Sequence, residues 1–304
     1  MSETVTNNST VYSENADAKE SRISDYFDLL KPRVMSLVVF TGFAGLWVAP
    51  GAFEMHPFLI VIAMLALAVN AGAAGAINMW YDRDIDAVMN RTRGRPIPMG
   101  RVDADEAVTF GVVMSVFSVM LMGIALNWVA AGVLAFANFF YVVIYTMWLK
   151  RSTPQNIVIG GAAGAFPPIV GWAAVTGDVS WAAIVLFAII FFWTPPHFWA
   201  LSLFANEDYK RAEIPMMSVV AGERSTKIQM VVYTLLLFPV TLLPSIMGFA
   251  GLLYGGCAVL LSGFFVVTAI KVLRSDDLKH ARLMFGYSVF YLFALFLAVM
   301  IDAT

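Results

Sequence analysis

The sequence is poor in the residues that most often carry out chemistry. It has one cysteine, Cys257, and three histidines among 304 residues. A single cysteine excludes an intramolecular disulfide and any cysteine-based metal cluster. Set inside an apolar run, it reads as packing. Charge is scarce as well: Asp, Glu, Lys and Arg make up 13% of the chain, whereas a soluble domain carries about a quarter. That excludes a soluble globular fold, and no nucleic-acid partner is expected. The first residues, MSETVTNNSTVYSENADAKE, lack the basic-then-apolar order of a secretory signal. They also lack the arginine-rich amphipathic character of a mitochondrial presequence. They read as a polar, disordered cytoplasmic tail over residues 1–28 of a bacterial protein, ahead of a single domain over 29–304.

What the chain has in abundance is apolar length. It is 60% hydrophobic, in runs near the roughly 20 residues that carry a helix across a bilayer. Nine spans are expected, at about 34–50, 57–80, 107–126, 128–148, 156–176, 180–205, 228–249, 251–272 and 284–302. Strands are not expected: the runs are too long, and backbone facing lipid must be satisfied within a helix or a closed barrel. The fold class is therefore all-α, a polytopic membrane protein.

The nineteen lysines and arginines test this count. They fall in five places: the N-terminal segment (Lys19, Arg22, Lys31, Arg33), after span two (Arg83, Arg91, Arg93, Arg95, Arg101), after span four (Lys150, Arg151), after span six (Lys210, Arg211, Arg224, Lys227) and after span eight (Lys271, Arg274, Lys279, Arg282). The alternate connections, near Pro50, Asn127, Asp178 and Gly251, have none. The positive-inside rule then places the N-terminus and the basic loops in the cytoplasm. The C-terminus falls on the periplasmic side of a bacterial inner membrane. Two long charged loops follow spans two and six, a hint of the internal repeats found around central sites in membrane folds.

The first long loop is dense in both charge signs: NMWYDRDIDAVMNRTRGRPIPMG. Asn78, Asp82 and Asp86 are spaced i, i+4, i+8. If span two continues as a helix, they share one face. Oxygen ligands in a row at a wet helix end suit Mg²⁺, which takes one or two carboxylates and completes its shell with water and phosphate oxygens. Asp84 points elsewhere. Bare carboxylates would repel an anionic substrate, so metal and substrate have to arrive together. Arg91, Arg93 and Arg95 can take phosphate oxygens, although topology alone would also account for them. The same two readings apply to Lys150 and Arg151. The second loop offers Asn206, Glu207, Asp208, Lys210 and Glu213, less regularly spaced. Within the spans, Pro167–Pro168 and Pro195–Pro196 should break or kink their helices. His197 lies about 12 Å below the cytoplasmic end of span six, at about 1.5 Å per residue. An ionisable residue at that depth is a functional candidate; the plainer reading is a neutral imidazole bonded to a carbonyl freed by the proline pair.

These segments resemble the UbiA superfamily of intramembrane prenyltransferases, and within it the branch that farnesylates heme. The resemblance rests on LLKPRVMSLVVFTGFAG, NMWYDRDIDAVMNRTRGRPIP, YTMWLKRSTPQNIVIGGAAGAFPPIVGW and TPPHFWALSLFANEDYKRAEIPMM, in that order, across most of residues 29–217. It implies a nine-span helical bundle with a central cavity capped by cytoplasmic loops. It implies Mg²⁺-dependent transfer of farnesyl from farnesyl diphosphate to the vinyl group of heme B, giving heme O. Asn78, Asp82, Asp86 and Asp208 would then be the catalytic metal ligands. Arg91, Arg95, Lys150, Arg151 and Lys210 would hold the diphosphate, and His197 would bind heme. A downstream heme A synthase is a partner implied by the resemblance alone. The chain departs from the pattern at Glu213, where the family often has glycine, and it lacks a regular second DxxxD. Two other readings compete: a UbiA-type enzyme acting on an aromatic or chlorin acceptor, and a transporter or Mg²⁺ channel. The second fits poorly, because the charges stop at one face.

Overall fold

The computed structural model describes residues 21–303. Most of the expected tail lies outside the described residues. Its end is structured sooner than expected. Helix α1, Ile23–Leu29, packs Leu29 and Tyr26 against Ala76, Met79 and Ile97. Arg101 ties it down by donating to buried Asp25 at 2.6 Å.

Eight helices are long and apolar enough to cross a bilayer: α3 (Pro57–Tyr81), α5 (Ala104–Ala125), α6 (Trp128–Ser152), α7 (Asn156–Thr176), α8 (Trp181–Phe204), α11 (Gly222–Ile246), α12 (Leu252–Arg274) and α13 (Leu278–Ile301). The short helices α4 (Arg83–Val88), α9 (Asn206–Arg211) and α10 (Met217–Val220) lie in the two long charged loops. The expected first span is α2, Pro32–Trp47, of 16 residues. That is about 24 Å of helix against a hydrocarbon core of about 30 Å. It forms a pair with α1 bent by 59°, and nine crossings result if that pair counts as one. The other eight expected spans match these helices closely. Among the described residues the only strand-like pairing is an isolated bridge between Ala250 and Ala303.

Polar residues at the ends of the apolar runs start the helices. Asn127 accepts from the Ala130 amide at 2.9 Å, Asp103 from Asp105 at 2.8 Å and Asp277 from Lys279 at 2.8 Å. Each satisfies an amide that the helix itself leaves unpaired. The spans pack in chain order, and α13 returns against α2 to close the ring. The Trp47 indole donates to the Met300 carbonyl at 3.2 Å across that seam. At the same end the Asp302 carboxylate accepts from the Tyr254 amide at 2.8 Å, capping α12. The largest apolar cluster joins α8, α11, α12 and α13, and a second joins α2, α3, α5, α6 and α7.

Small residues allow α2 to lie directly on the second half of α7. A Cβ built on Gly171 would stand 1.9 Å from the Gly42 carbonyl oxygen, and one on Gly45 would stand 2.2 Å from that of Pro168. Such backbone-to-backbone approach is the usual role of small residues between membrane helices. The obstacle is main chain and cannot rotate aside. Gly171→Ala is expected to destabilise the bundle by about 1–3 kcal/mol, measurable as a lower thermal midpoint in detergent. Gly164→Ala, whose Cβ meets nothing, is the control.

The two proline pairs behave differently. Pro167–Pro168 interrupts α7 at Phe166, as expected. Pro195–Pro196 does not break α8, which runs unbroken from Trp181 to Phe204. Within a membrane, neighbouring helices and local side chains compensate for the missing amides.

Candidate active site

The site is built where α3 ends. At Asp82 the helix pauses, then resumes as α4. The i to i+4 ladder survives the pause: the Asp82 amide donates to the Asn78 carbonyl at 2.9 Å, and the Asp86 amide to the Asp82 carbonyl at 2.8 Å. Asn78, Asp82 and Asp86 therefore stay on one face, as the spacing predicts. They are not at a wet helix end. Asn78 is 4%, Asp82 0% and Asp86 2% exposed.

Cations cover that face. Lys31, in the break between α1 and α2, donates to Asn78 Oδ1 at 2.6 Å. Lys150, at the end of α6, pairs with Asp82 Oδ2. Arg95 pairs with Asp86 Oδ2 at 2.5 Å. The Asn78 amide nitrogen donates to Asp82 Oδ2 at 2.7 Å and to Thr146 Oγ1 at 3.1 Å, which fixes its oxygen toward Lys31. Lys150 and Thr146 are carried by α6, whose backbone widens to π-type bonding over Phe140–Leu149; such bulges often mark functional sites. Burial pulls the Lys31 amine down to about 7, with Arg95 and Lys150 adding like-charge repulsion.

Arg151 makes a two-armed contact with Asp84, both bonds at 2.7 Å, and lies 3.5 Å from Asp82 Oδ1. That contact holds the Asp84 carboxyl below its usual range and explains why Asp84 is turned outward. Arg91 donates to the Tyr209 hydroxyl at 3.1 Å and stacks over its ring. Arg93 is exposed, with no side-chain partner among the described residues. The buried Asp82 and Asp86 thus face Lys150, Arg151 and Arg95 directly, with Lys31 beside them on Asn78. The surplus of positive charge suits an oxyanion with more than one negative charge.

The donor set fits a hard divalent cation. Asp82 Oδ1 is buried with no hydrogen-bond partner. Lys31, Lys150 and Arg95 now occupy the same oxygens a metal would take. Among the described residues no cluster of three or more carboxylate, histidine or cysteine side chains is present. Two carboxylates and an amide oxygen are too few to close an octahedron, so water or substrate oxygens have to supply the rest, as is usual for Mg²⁺.

A family model described as the UbiA prenyltransferase family matches residues 38–298. The chain belongs to this family. Among curated relatives, a protein of Rhizobium johnstonii is 57% identical over 98% of this chain and 95% of its own length. A protein of Parvibaculum lavamentivorans is 57% identical over 91% of this chain and 88% of its own. Both are named protoheme IX farnesyltransferase. Among solved structures, one concerning digeranylgeranylglyceryl phosphate synthase aligns with a TM-score of 0.76 at 16% identity, covering 92% of this chain and 98% of that one. A UbiA homologue from Archaeoglobus fulgidus, bound to GPP and Mg²⁺, aligns with a TM-score of 0.65 over 91% and 99%. The chain is thus a multi-pass membrane protein with the UbiA fold.

Within that fold the second charged loop docks on the first. Ile85 and Met89 pack with Tyr209, Ala212, Ile214 and Met216, and burial pushes the Tyr209 hydroxyl pKa up. The expected second-loop residues are not drawn into the carboxylate cluster. Asp208 pairs with Arg211, and Lys210 pairs with Glu207 at 2.9 Å. These are i, i+3 partners on one short helix, which can meet without help from the rest of the site. Glu213 has φ 52, a left-handed conformation in which glycine has no Cβ penalty. Glu213→Gly is expected to raise stability by up to about 1 kcal/mol, read as a higher thermal midpoint with turnover unchanged.

His197 is not bonded to a carbonyl freed by the prolines. Its Nδ1 lies 2.6 Å from Ser288 Oγ. The ring stacks between Trp193 and Phe285, at centroid distances of 4.3 and 4.6 Å. It joins α8 to α13. Sequence reasoning missed Lys31 and Thr146. A lysine before the proline that opens the first span reads as a topology anchor, and the one further signal is that LLKPRVMSLVVFTGFAG is among the segments that resemble the family.

Proposed function

We propose that this chain transfers a farnesyl group from farnesyl diphosphate to the vinyl group of heme B, releasing diphosphate and giving heme O. One observation carries the chemistry: a buried oxygen face, Asn78, Asp82 and Asp86, opposed by Lys31, Lys150 and Arg95. The names of the near-full-length relatives support the choice of acceptor. When bound, Mg²⁺ held by Asn78, Asp82 and Asp86 would neutralise charge on the departing diphosphate.

The chain's own cations do the rest. Lys150 and Arg95 exchange their carboxylate partners, and Lys31 its amide partner, for diphosphate oxygens, and Arg91 joins them from Tyr209. As the allylic C–O bond breaks, its electron pair leaves with the diphosphate, and fixed cations stabilise that charge without reorganising. The vinyl π electrons close the new carbon–carbon bond. Water then adds to the neighbouring cationic carbon and its proton leaves to solvent, which forms the hydroxyethylfarnesyl chain. Tyr141 and Tyr145 of α6, within electrostatic reach of Asp82, give the site aromatic walls suited to a transient cation. No strong general base is required, because the acceptor is an electron-rich alkene.

The reading extends to residues 29–304 acting as one domain in a bacterial inner membrane. The basic loops lie in the cytoplasm and the C-terminus in the periplasm, and a heme A synthase consumes the product. Asp208 and Lys210 would engage the diphosphate only after leaving Arg211 and Glu207. Purified protein with heme B, farnesyl diphosphate and Mg²⁺ should yield heme O. Product with 4-hydroxybenzoate and none with heme would overturn the acceptor. For His197, a heme-binding role predicts that His197→Ala weakens heme affinity and alters the bound-heme spectrum. If both are unchanged, the ring serves only to join α8 to α13.

A further inference from the structure

A second cluster of basic groups lies away from the carboxylates, at the junction of α12 and α13. The last two turns of α12 present Val267, Ile270, Lys271 and Arg274 at i, i+3, i+4 and i+7, on one face of the helix. With Ser275 and His280 they line a pocket of about 400 Å³. Its two ends differ in chemistry. Val267, 44% exposed, and Ile270 belong to the spanning helix and face the apolar layer. Lys271, Arg274 and His280 sit where the charged loops begin.

The nearby acids are engaged elsewhere. Asp276 is paired with Lys227 at 3.0 Å. Asp277 accepts from the Lys279 amide at 2.8 Å, capping α13. Lys227 is itself held by Asp276 and the Ser275 carbonyl. Lys271 and Arg274 have no ion-pair partner among the described residues, and His280 Nδ1 is buried without a hydrogen-bond partner. Topology requires basic residues at this end of the bundle. It does not require them to share a pocket with an unsatisfied imidazole and an apolar wall.

We propose that this pocket binds the phosphate head group of an anionic phospholipid, with Lys271 and Arg274 on the phosphate oxygens and an acyl chain along Val267 and Ile270. Basic pockets between spans at the charged side of a membrane protein are suited to such head groups. The unpaired cations then gain a counter-charge without leaving the interface. The site is independent of prenyl transfer, so its test does not depend on that activity.

The test uses the full chain, purified and delipidated in a neutral detergent. Phosphatidylglycerol should raise the thermal midpoint by about 5 °C at concentrations well above its dissociation constant, and phosphatidylcholine should not. The double variant Lys271→Gln/Arg274→Gln should lose the shift. Native mass spectrometry of the wild-type protein should show phosphatidylglycerol retained in preference to phosphatidylcholine, a readout that does not require the variant to fold. Equal effects of the two lipids, or an undiminished shift in the double variant, would overturn the site. An equal shift with inorganic phosphate alone would overturn the lipid as its source.

Discussion

Asp82→Ala is expected to lower the rate of prenyl transfer by about 10²–10³-fold, the usual loss when one preorganised charge-stabilising group is removed. The variant should still extract and elute as a folded chain. Asp82 is fully buried, and one of its oxygens has no hydrogen-bond partner. That oxygen holds no structural hydrogen bond and is free to take a ligand. Its removal does not strand Lys150, whose side chain keeps 15% of its surface exposed and remains within electrostatic reach of Asp86. Initial rates over a Mg²⁺ titration are the measurement. The loss should persist at saturating metal, and near-normal turnover would remove Asp82 from the metal site.

Lys150→Met makes a prediction in two opposite directions. In the ligand-free protein Lys150 neutralises Asp82. Without it, Asp82 is left with the Asn78 amide at 2.7 Å and Arg151 at 3.5 Å. A buried carboxylate short of a partner is costly, and a divalent cation relieves that cost. Mg²⁺ alone should therefore stabilise the variant at lower concentration than it stabilises the wild type. Farnesyl diphosphate should bind more weakly. A charged hydrogen bond contributes about 1.5–3 kcal/mol, so KM should rise by roughly 10–100-fold. Thermal midpoints against Mg²⁺ and steady-state kinetics against farnesyl diphosphate separate the two effects. If metal and substrate both bind more weakly, Lys150 is not a placeholder on the metal's oxygens.

The spans were legible because apolar runs are long and the basic residues alternate strictly between loops. The shared face of Asn78, Asp82 and Asp86 was legible because a helical ladder of i, i+4, i+8 needs no tertiary information, and the pause at Asp82 preserves it. What failed needed distance. Lys31 meets Asn78 across 47 positions, and nothing in its neighbourhood marks that encounter. Burial was also misread: a charged stretch at a helix end looks wet until the cations that cover it are placed. For Asp208 and Lys210 the reason is the opposite one. Partners three residues away, Arg211 and Glu207, engage them locally. The proline pair in α8 leaves its helix unbroken, because within a membrane the helix-breaking rule of aqueous helices is weaker.

The ion pairs over Asn78, Asp82 and Asp86 also bear on the membrane as a permeability barrier. Carboxylates buried at the end of a bundle of spans are one ingredient of an ion path. In the ligand-free chain Asp82 Oδ2 and Asp86 Oδ2 are each paired with a tethered cation, so a proton or a small ion finds no open row of carboxylates. In the proposed mechanism, the side chains that release diphosphate would return to these oxygens. The cluster would thus be its own plug, and a variant that removes one of these cations is expected to be leakier to protons in sealed vesicles as well as slower.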